Sequence, residues 1–91
     1  MIRVDFDRNY YLYLEKLLQD QSELEYEIEQ HIRWFRKNPD DTRLVNHPLI
    51  KHMSGRWAFS VTDDIRIVYL WTGKHAVRFL SIGRHAEVYG K

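Results

Sequence analysis

The stretch that decides the fold runs from residue 57 to residue 71 and reads WAFSVTDDIRIVYLW. Apolar side chains take every second position on both sides of an Asp-Asp pair. Such alternation predicts two strands that each bury one face, and Asp63-Asp64 predicts the tight turn between them. A second turn at 72–74 and an apolar run from Ala76 to Ile82 extend the pattern to a three-stranded antiparallel meander.

The pattern upstream of this meander is different. Residues 2–6 alternate as a short strand, and Asp7 then predicts the N-cap of a first helix over about 8–19. Ser22, with Glu25 three positions later, predicts a capping box for a second helix. Asn38-Pro39 ends that helix. Two antiparallel helices joined by a short loop follow.

Residues 40–55 are expected to be irregular, because Pro48 and Gly55 interrupt them. The predicted fold is α+β: a short N-terminal strand, two antiparallel helices and a three-stranded antiparallel meander, with the helices packed on one sheet face. The 91 residues make one domain, 1–91.

Composition narrows the class of protein. The chain has no cysteine, which excludes a disulfide-stapled module and a thiolate zinc site. There is no apolar run long enough to cross a bilayer and no signal-peptide pattern at the start, so we expect a cytoplasmic protein without a membrane partner. Residues 1–42 carry six Lys/Arg and ten Asp/Glu, whereas residues 43–91 carry eight and three. A polyanion is therefore expected to meet the second half.

Four residues of this second half suggest chemistry. Arg66 alternates out of the apolar series Ile65/Ile67 and is expected on the open sheet face, where a guanidinium suits a phosphate. His47 precedes Pro48, and His85 and Tyr89 follow the last strand. Two histidines can remove and return a proton near neutral pH. Each also fits a plainer role: a surface ion pair for Arg66, a loop or strand-end position for the histidines, and packing for Tyr89.

Three segments of the second half carry a resemblance to a known family. They are residues 48–57 (PLIKHMSGRW), 62–69 (TDDIRIVY) and 81–89 (SIGRHAEVY). The set resembles the RelE/ParE superfamily of type II toxin–antitoxin toxins, and within it the YoeB/YafQ-like mRNA interferases. The first half resembles these toxins only in its layout and helix pair.

The resemblance implies a function and a set of partners. Such toxins cleave mRNA, usually on the ribosome, by 2′-hydroxyl attack that leaves a 2′,3′-cyclic phosphate, and they use no metal or other cofactor. A cognate antitoxin wraps and silences the toxin, and the two form heterotetramers or other assemblies.

It also implies roles for particular residues. Arg66 matches the phosphate-binding arginine, His85 the general acid, Tyr89 its C-terminal partner, and His47 the general base. Trp57 matches a tryptophan that we interpret as mainly structural, with base stacking as its other role. The nearby basic residues that are expected to hold RNA are Lys51, Arg56 and Arg84.

The sequence also departs from the pattern of the family. Ser81 stands where YafQ-like members have an arginine, their additional histidine between Trp57 and Arg66 has no counterpart, and the lysines of RelE are replaced by residues 58–60. Three other interpretations therefore stay open. They are a ParE-like DNA gyrase inhibitor without nuclease activity, a catalytically decayed toxin that binds its antitoxin, and an unrelated RNA-binding domain.

Overall fold

The structure, a computed structural model, describes residues 1–50 and 53–86. Its elements in chain order are β1 (Arg3–Phe6), α1 (Arg8–Asp20), α2 (Leu24–Lys37), a 3₁₀ turn (Thr42–Leu44), β2 (His47–Pro48), β3 (Trp57–Ser60), β4 (Ile65–Gly73) and β5 (Ala76–Arg84). The predicted α+β class is confirmed, as are both helices and the three strands of the meander. No helix within the described residues is both long enough and apolar enough to span a membrane.

The sheet is larger than the meander alone. Its five strands lie in the order β1-β5-β4-β3-β2. The N-terminal strand pairs parallel to β5, and the other three pairings are antiparallel. The short edge strand β2 lies in the segment that we expected to be irregular. A two-residue strand leaves no alternation to detect, so only the tertiary structure reveals it.

One face of the sheet carries the main core. Along β4, Ile65, Ile67 and Tyr69 are buried against the helices, and Phe35 of α2 is fully enclosed among them. The ring of Phe35 stacks on Phe59 with centroids 4.6 Å apart and meets the Tyr69 ring edge-on at 5.0 Å. Close aromatic packing of this kind contributes beyond the burial of area alone. It fixes which face of β4 turns inward.

The two helices begin differently. Asp7 is the N-cap of α1, with extended backbone and a side chain that accepts a hydrogen bond from the Asn9 amide, as predicted. The capping box at Ser22 was wrong. Glu23 occupies the cap position of α2 with helical backbone and makes no side-chain cap bond. The amides of Leu24 and Glu25 bond instead to the backbone carbonyls of Gln21 and Ser22.

Replacing Asp7 by Ala is predicted to lower the urea midpoint of unfolding, because one amide at the start of α1 loses its acceptor. Ser22→Ala is the matched control and should change the unfolding free energy by no more than about 0.5 kcal/mol. Asp7→Asn retains a capping oxygen and should keep most of the stability. Equal losses for Asp7→Ala and Ser22→Ala in urea titrations would contradict this assignment of the caps.

The Asn9 amide lowers the pKa of Asp7 below its ordinary value of 3.8. A lowered pKa means that the Asp7 carboxylate stabilises the fold above that value and that this contribution disappears as the pH falls. The Asp7→Asn variant should lack this part of the acid sensitivity.

Candidate active site

The open face of the sheet, opposite the helices, has a floor of small side chains around Arg66. Arg66 is paired with Ser60 on β3 and with Gly83 on β5. The next pair along β4 places Val68 between Ala58 and Ser81. Because residues directly opposite each other share a face, no large neighbour on β3 or β5 covers the Arg66 side chain. The position of Arg66 on this face is as predicted.

The guanidinium of Arg66 is held by backbone oxygens. Its Nη1 donates to the Thr62 carbonyl at 2.8 Å and approaches the Ile65 carbonyl at 3.4 Å. Arg66 is half-buried, and it takes part in none of the ion pairs formed by residues 1–50 and 53–86. A guanidinium oriented by carbonyls without a carboxylate beside it keeps its positive charge available for an anion.

His85 is tied to the same turn that holds Arg66. Its backbone amide donates to the Asp64 carbonyl at 2.8 Å. The turn is stabilised by Thr62, whose Oγ1 accepts from the Asp64 amide at 3.2 Å and from the Ile65 amide at 3.1 Å. One turn between β3 and β4 therefore anchors both the Arg66 side chain and the His85 backbone, and the side chain of His85 is exposed there.

His47 lies on the other side of the open face, on edge strand β2. Its Nδ1 is 2.8 Å from the Val45 carbonyl oxygen. Because a carbonyl oxygen only accepts, Nδ1 carries the proton, and the neutral ring has its lone pair on Nε2. Three strand spacings, roughly 14 Å, separate β2 from β5. Arg66 on β4 lies between the two histidines.

The chain just before His47 is fixed from two sides. The Tyr69 hydroxyl donates to Asn46 Oδ1, and burial raises the pKa of Tyr69 above its usual range. Further upstream, Arg43 bonds to Asp41 and stacks over Trp34, with its guanidinium carbon 3.5 Å from the ring centroid. Hydrogen bonds from Arg43 lower the pKa of Asp41 to about 2. Both contacts restrict the position from which His47 projects.

The loop after β2 covers the apolar part of the open face. Leu49 and Met53 pack against Ala58 and Val68 in a small cluster separate from the main core. Gly55 has a φ of +93°, a conformation that a side chain would strain.

Three other predicted site residues, Trp57, Arg84 and Arg56, do not join this group. Trp57 packs against the main core beside Trp71, which favours its structural role over base stacking. Arg84 is paired with Ile65, so it projects to the helix face, and it forms an ion pair with Asp64 at 3.7 Å. Arg56 is exposed in the loop and contacts Met53 Sδ. Lys51 and Tyr89 lie outside the described residues.

The sequence prediction missed the residues that hold the site. Thr62 and Asn46 orient Arg66 and His47, yet neither residue type by itself indicates a catalytic or binding role. The signal for Thr62 was available, because a Thr that begins a turn often bonds to the backbone amides that follow it.

Within residues 1–50 and 53–86, no three His, Asp or Glu side chains form a group able to hold a metal ion.

Comparison with solved structures gives clear matches. The structure of YafQ from E. coli strain BL21(DE3) superposes with a TM-score of 0.81 at 17% identity and covers 99% of this chain and 100% of its own. A YoeB/ParE toxin from Agrobacterium tumefaciens gives 0.75 at 19% identity, with 92% and 99% covered. The E. coli DinJ-YafQ toxin-antitoxin complex gives 0.75 at 18% identity, with 98% of each chain covered.

These likenesses establish the fold. The chain shares the architecture of the YafQ and YoeB/ParE toxin structures over nearly its whole length. Comparison of the sequence with protein-family models and with curated proteins finds no match.

Two buried tyrosines provide a matched test of the bond that positions His47. Tyr69→Phe leaves the Asn46 amide without its donor and should cost about 1 kcal/mol of unfolding free energy. Tyr10 is buried, and its hydroxyl has no partner within residues 1–50 and 53–86, so Tyr10→Phe should be neutral or stabilising. Urea unfolding measures both. A Tyr69→Phe variant as stable as the wild type would contradict the Tyr69–Asn46 bond.

Proposed function

We propose that this chain is the toxin of a type II toxin–antitoxin pair and that it cleaves mRNA on the ribosome, in the cytoplasm, without a metal ion. The observation that carries the proposal is Arg66, a half-buried guanidinium on the open face that bonds to backbone carbonyls and forms no ion pair with a carboxylate of residues 1–50 or 53–86. The shared fold and the position of His85 at the same turn support it.

The proposed step is an internal phosphoryl transfer. The ribose 2′-oxygen attacks the adjacent phosphorus while His47 Nε2 takes its proton. The P–O5′ bond breaks, and His85 gives a proton to the departing 5′-oxygen. Arg66 stabilises the charge that develops on the phosphorane. The products are a 2′,3′-cyclic phosphate and a 5′-hydroxyl, so no water and no metal enter the balance.

The other residues have supporting roles in this proposal. Tyr89 orients His85 or the phosphate, Lys51 and Arg56 hold RNA backbone beside the loop, and Trp57 contributes through the core. Arg84 acts indirectly, because its ion pair with Asp64 connects the end of β5 to the turn that holds Arg66.

Neutralising Arg66 tests the proposal. Arg66→Gln should lower the rate of mRNA cleavage by about 10²- to 10³-fold, as expected when a donor to the developing charge is removed. His85→Ala should lose about 10²- to 10⁴-fold. Arg33→Gln is the matched control, since Arg33 is an exposed arginine on α2 whose side chain bonds to Gln30. Primer extension on a reporter mRNA in a translating extract measures the cuts.

Full cleavage by Arg66→Gln would contradict the proposed site. If the wild type makes no cuts at all and instead inhibits DNA supercoiling by gyrase, the chain is a ParE-like inhibitor. If it does neither and still binds an antitoxin, it is a decayed toxin.

The antitoxin is proposed to cover the apolar groove between α1 and α2. This groove has a volume of about 190 Å³ and is lined by Phe6, Tyr10, Tyr11, Leu14, Leu18, Ile28 and Ile32, with Glu25 and Glu29 also in its wall. An apolar segment flanked by Lys or Arg would satisfy both the hydrophobic floor and the two carboxylates. The solved DinJ-YafQ toxin-antitoxin complex, to which this chain is similar, supports an antitoxin as a partner of the chain.

Substitutions of Tyr11 and Tyr26 can distinguish binding in this groove from binding elsewhere on the helix surface. Both are exposed, at 54% and 66%, but only Tyr11 lines the groove. Tyr11→Ala should weaken antitoxin binding by about 2 kcal/mol, roughly 30-fold in Kd, and leave mRNA cleavage unchanged. Tyr26→Ala should bind as the wild type does. Calorimetric titration with the purified antitoxin measures the Kd of each protein. Equal Kd values for the wild type and the two variants would place the antitoxin elsewhere.

A further inference from the structure

A second basic surface lies at the end of the molecule opposite the candidate active site. It is a cleft of about 300 Å³ between the start of the chain, the end of α2 and the β4–β5 turn. Its lining includes Arg36, Lys37, Trp71, Lys74 and His75, and none of the described residues that line it is an Asp or a Glu. The nearest carboxylate along the chain is Asp40, which follows the lining residue Pro39.

The shape of the cleft is fixed by the fold, because hydrogen bonds join its three walls. The Ile2 amide donates to the Arg36 carbonyl at 2.9 Å, and Arg36 Nε donates to the Ile2 carbonyl at 3.0 Å. The Arg3 amide donates to the His75 carbonyl at 2.9 Å. The α2 end and the β4–β5 turn are thus both fixed to β1.

The cations of the cleft are not engaged in ion pairs with other described residues. Arg36, Lys37 and Lys74 take part in none of the ion pairs found in the described part of the chain. Trp71 is half-buried and presents the rest of its indole to the cleft. Unpaired cations around an aromatic ring are the elements that bind an unpaired nucleic-acid strand, through its phosphates and through stacking of a base.

The cleft is too far from Arg66 to be part of the same phosphate site. Trp71 is five residues along β4 from Arg66, a distance of about 17 Å. Trp71 also packs on the helix side of the sheet, whereas Arg66 faces the open side. A ligand in the cleft must be a different group from the phosphate at Arg66.

We propose that this cleft binds a second segment of single-stranded RNA, with phosphates on Arg36, Lys37 and Lys74 and a base against Trp71. The choice of RNA rests on the proposed function, since an enzyme that acts on RNA gains from a second contact with its polyanionic substrate. A membrane surface is disfavoured, because polybasic lipid-binding clusters typically hold four to eight cations.

The test measures the salt dependence of binding to RNA that cannot be cut. The probe is a fluorescent RNA of about 12 nucleotides with every 2′-hydroxyl methylated, titrated by anisotropy between about 50 and 200 mM salt. The variant is Lys37→Gln/Lys74→Gln. The matched control is Arg8→Gln/Lys16→Gln, which removes the same charge from exposed positions on α1.

The cleft variant should lower the steepness of the plot of log Kd against log salt by about 1.4, which corresponds to two lost phosphate contacts on a single strand. The control should match the wild type. Equal changes in both variants, no change in either, or binding of the wild type to phosphatidylserine vesicles in preference to RNA would overturn the proposal. Cleavage is not needed for this readout, so a wild type that cuts no mRNA but shows the predicted slopes refutes the nuclease and retains the cleft.

Discussion

The packing of one face of β4 against the helices is the constraint on which the rest of the structure depends. Phe35 encloses the inward positions of this strand together with Phe59 and Tyr69. Since successive side chains of a strand point to opposite faces, a residue that follows an inward apolar residue must point outward. A slip of one position would bury Arg66 and expose Ile65 and Ile67, so the hydrophobic core sets the location of the guanidinium.

The placement of Arg66 has a cost that the turn partly offsets. Removing a guanidinium from water without a carboxylate is unfavourable unless other groups satisfy its donors. The Thr62 and Ile65 carbonyls supply acceptors but no full negative charge. The site is therefore oriented before a ligand arrives, and a phosphate would complete it. The same turn carries the amide bond to His85, which connects the fold of the meander to the proposed chemistry.

Most of the fold could be predicted from the sequence because it follows from the periodicity of apolar residues and from residues that begin or end helices and turns. Alternation predicts β3, β4 and β5, and Asp7 and Asn38-Pro39 predict helix limits. The parallel pairing of β1 and the edge strand β2 depend on long-range contacts that no local pattern encodes. Leu80 is an extra residue on β5, and no local sequence pattern predicts such a bulge either. For the site, alternation predicts that Arg66 lies on the open face of the sheet, and the family resemblance singles out His47 and His85. The anchoring by Thr62 and Asn46, and the turning of Trp57 and Arg84 to the other face, depend on strand register.

The central claim is that one phosphate of RNA binds Arg66 between the two histidines. A crystal structure of the chain with a short RNA that lacks the attacking 2′-hydroxyl tests it most directly. The account predicts a phosphate within hydrogen-bonding distance, about 3 Å, of the Arg66 guanidinium, with the imidazoles of His47 and His85 on opposite sides of it. RNA bound away from the open face, or a phosphate at Arg66 that neither histidine approaches, would contradict it.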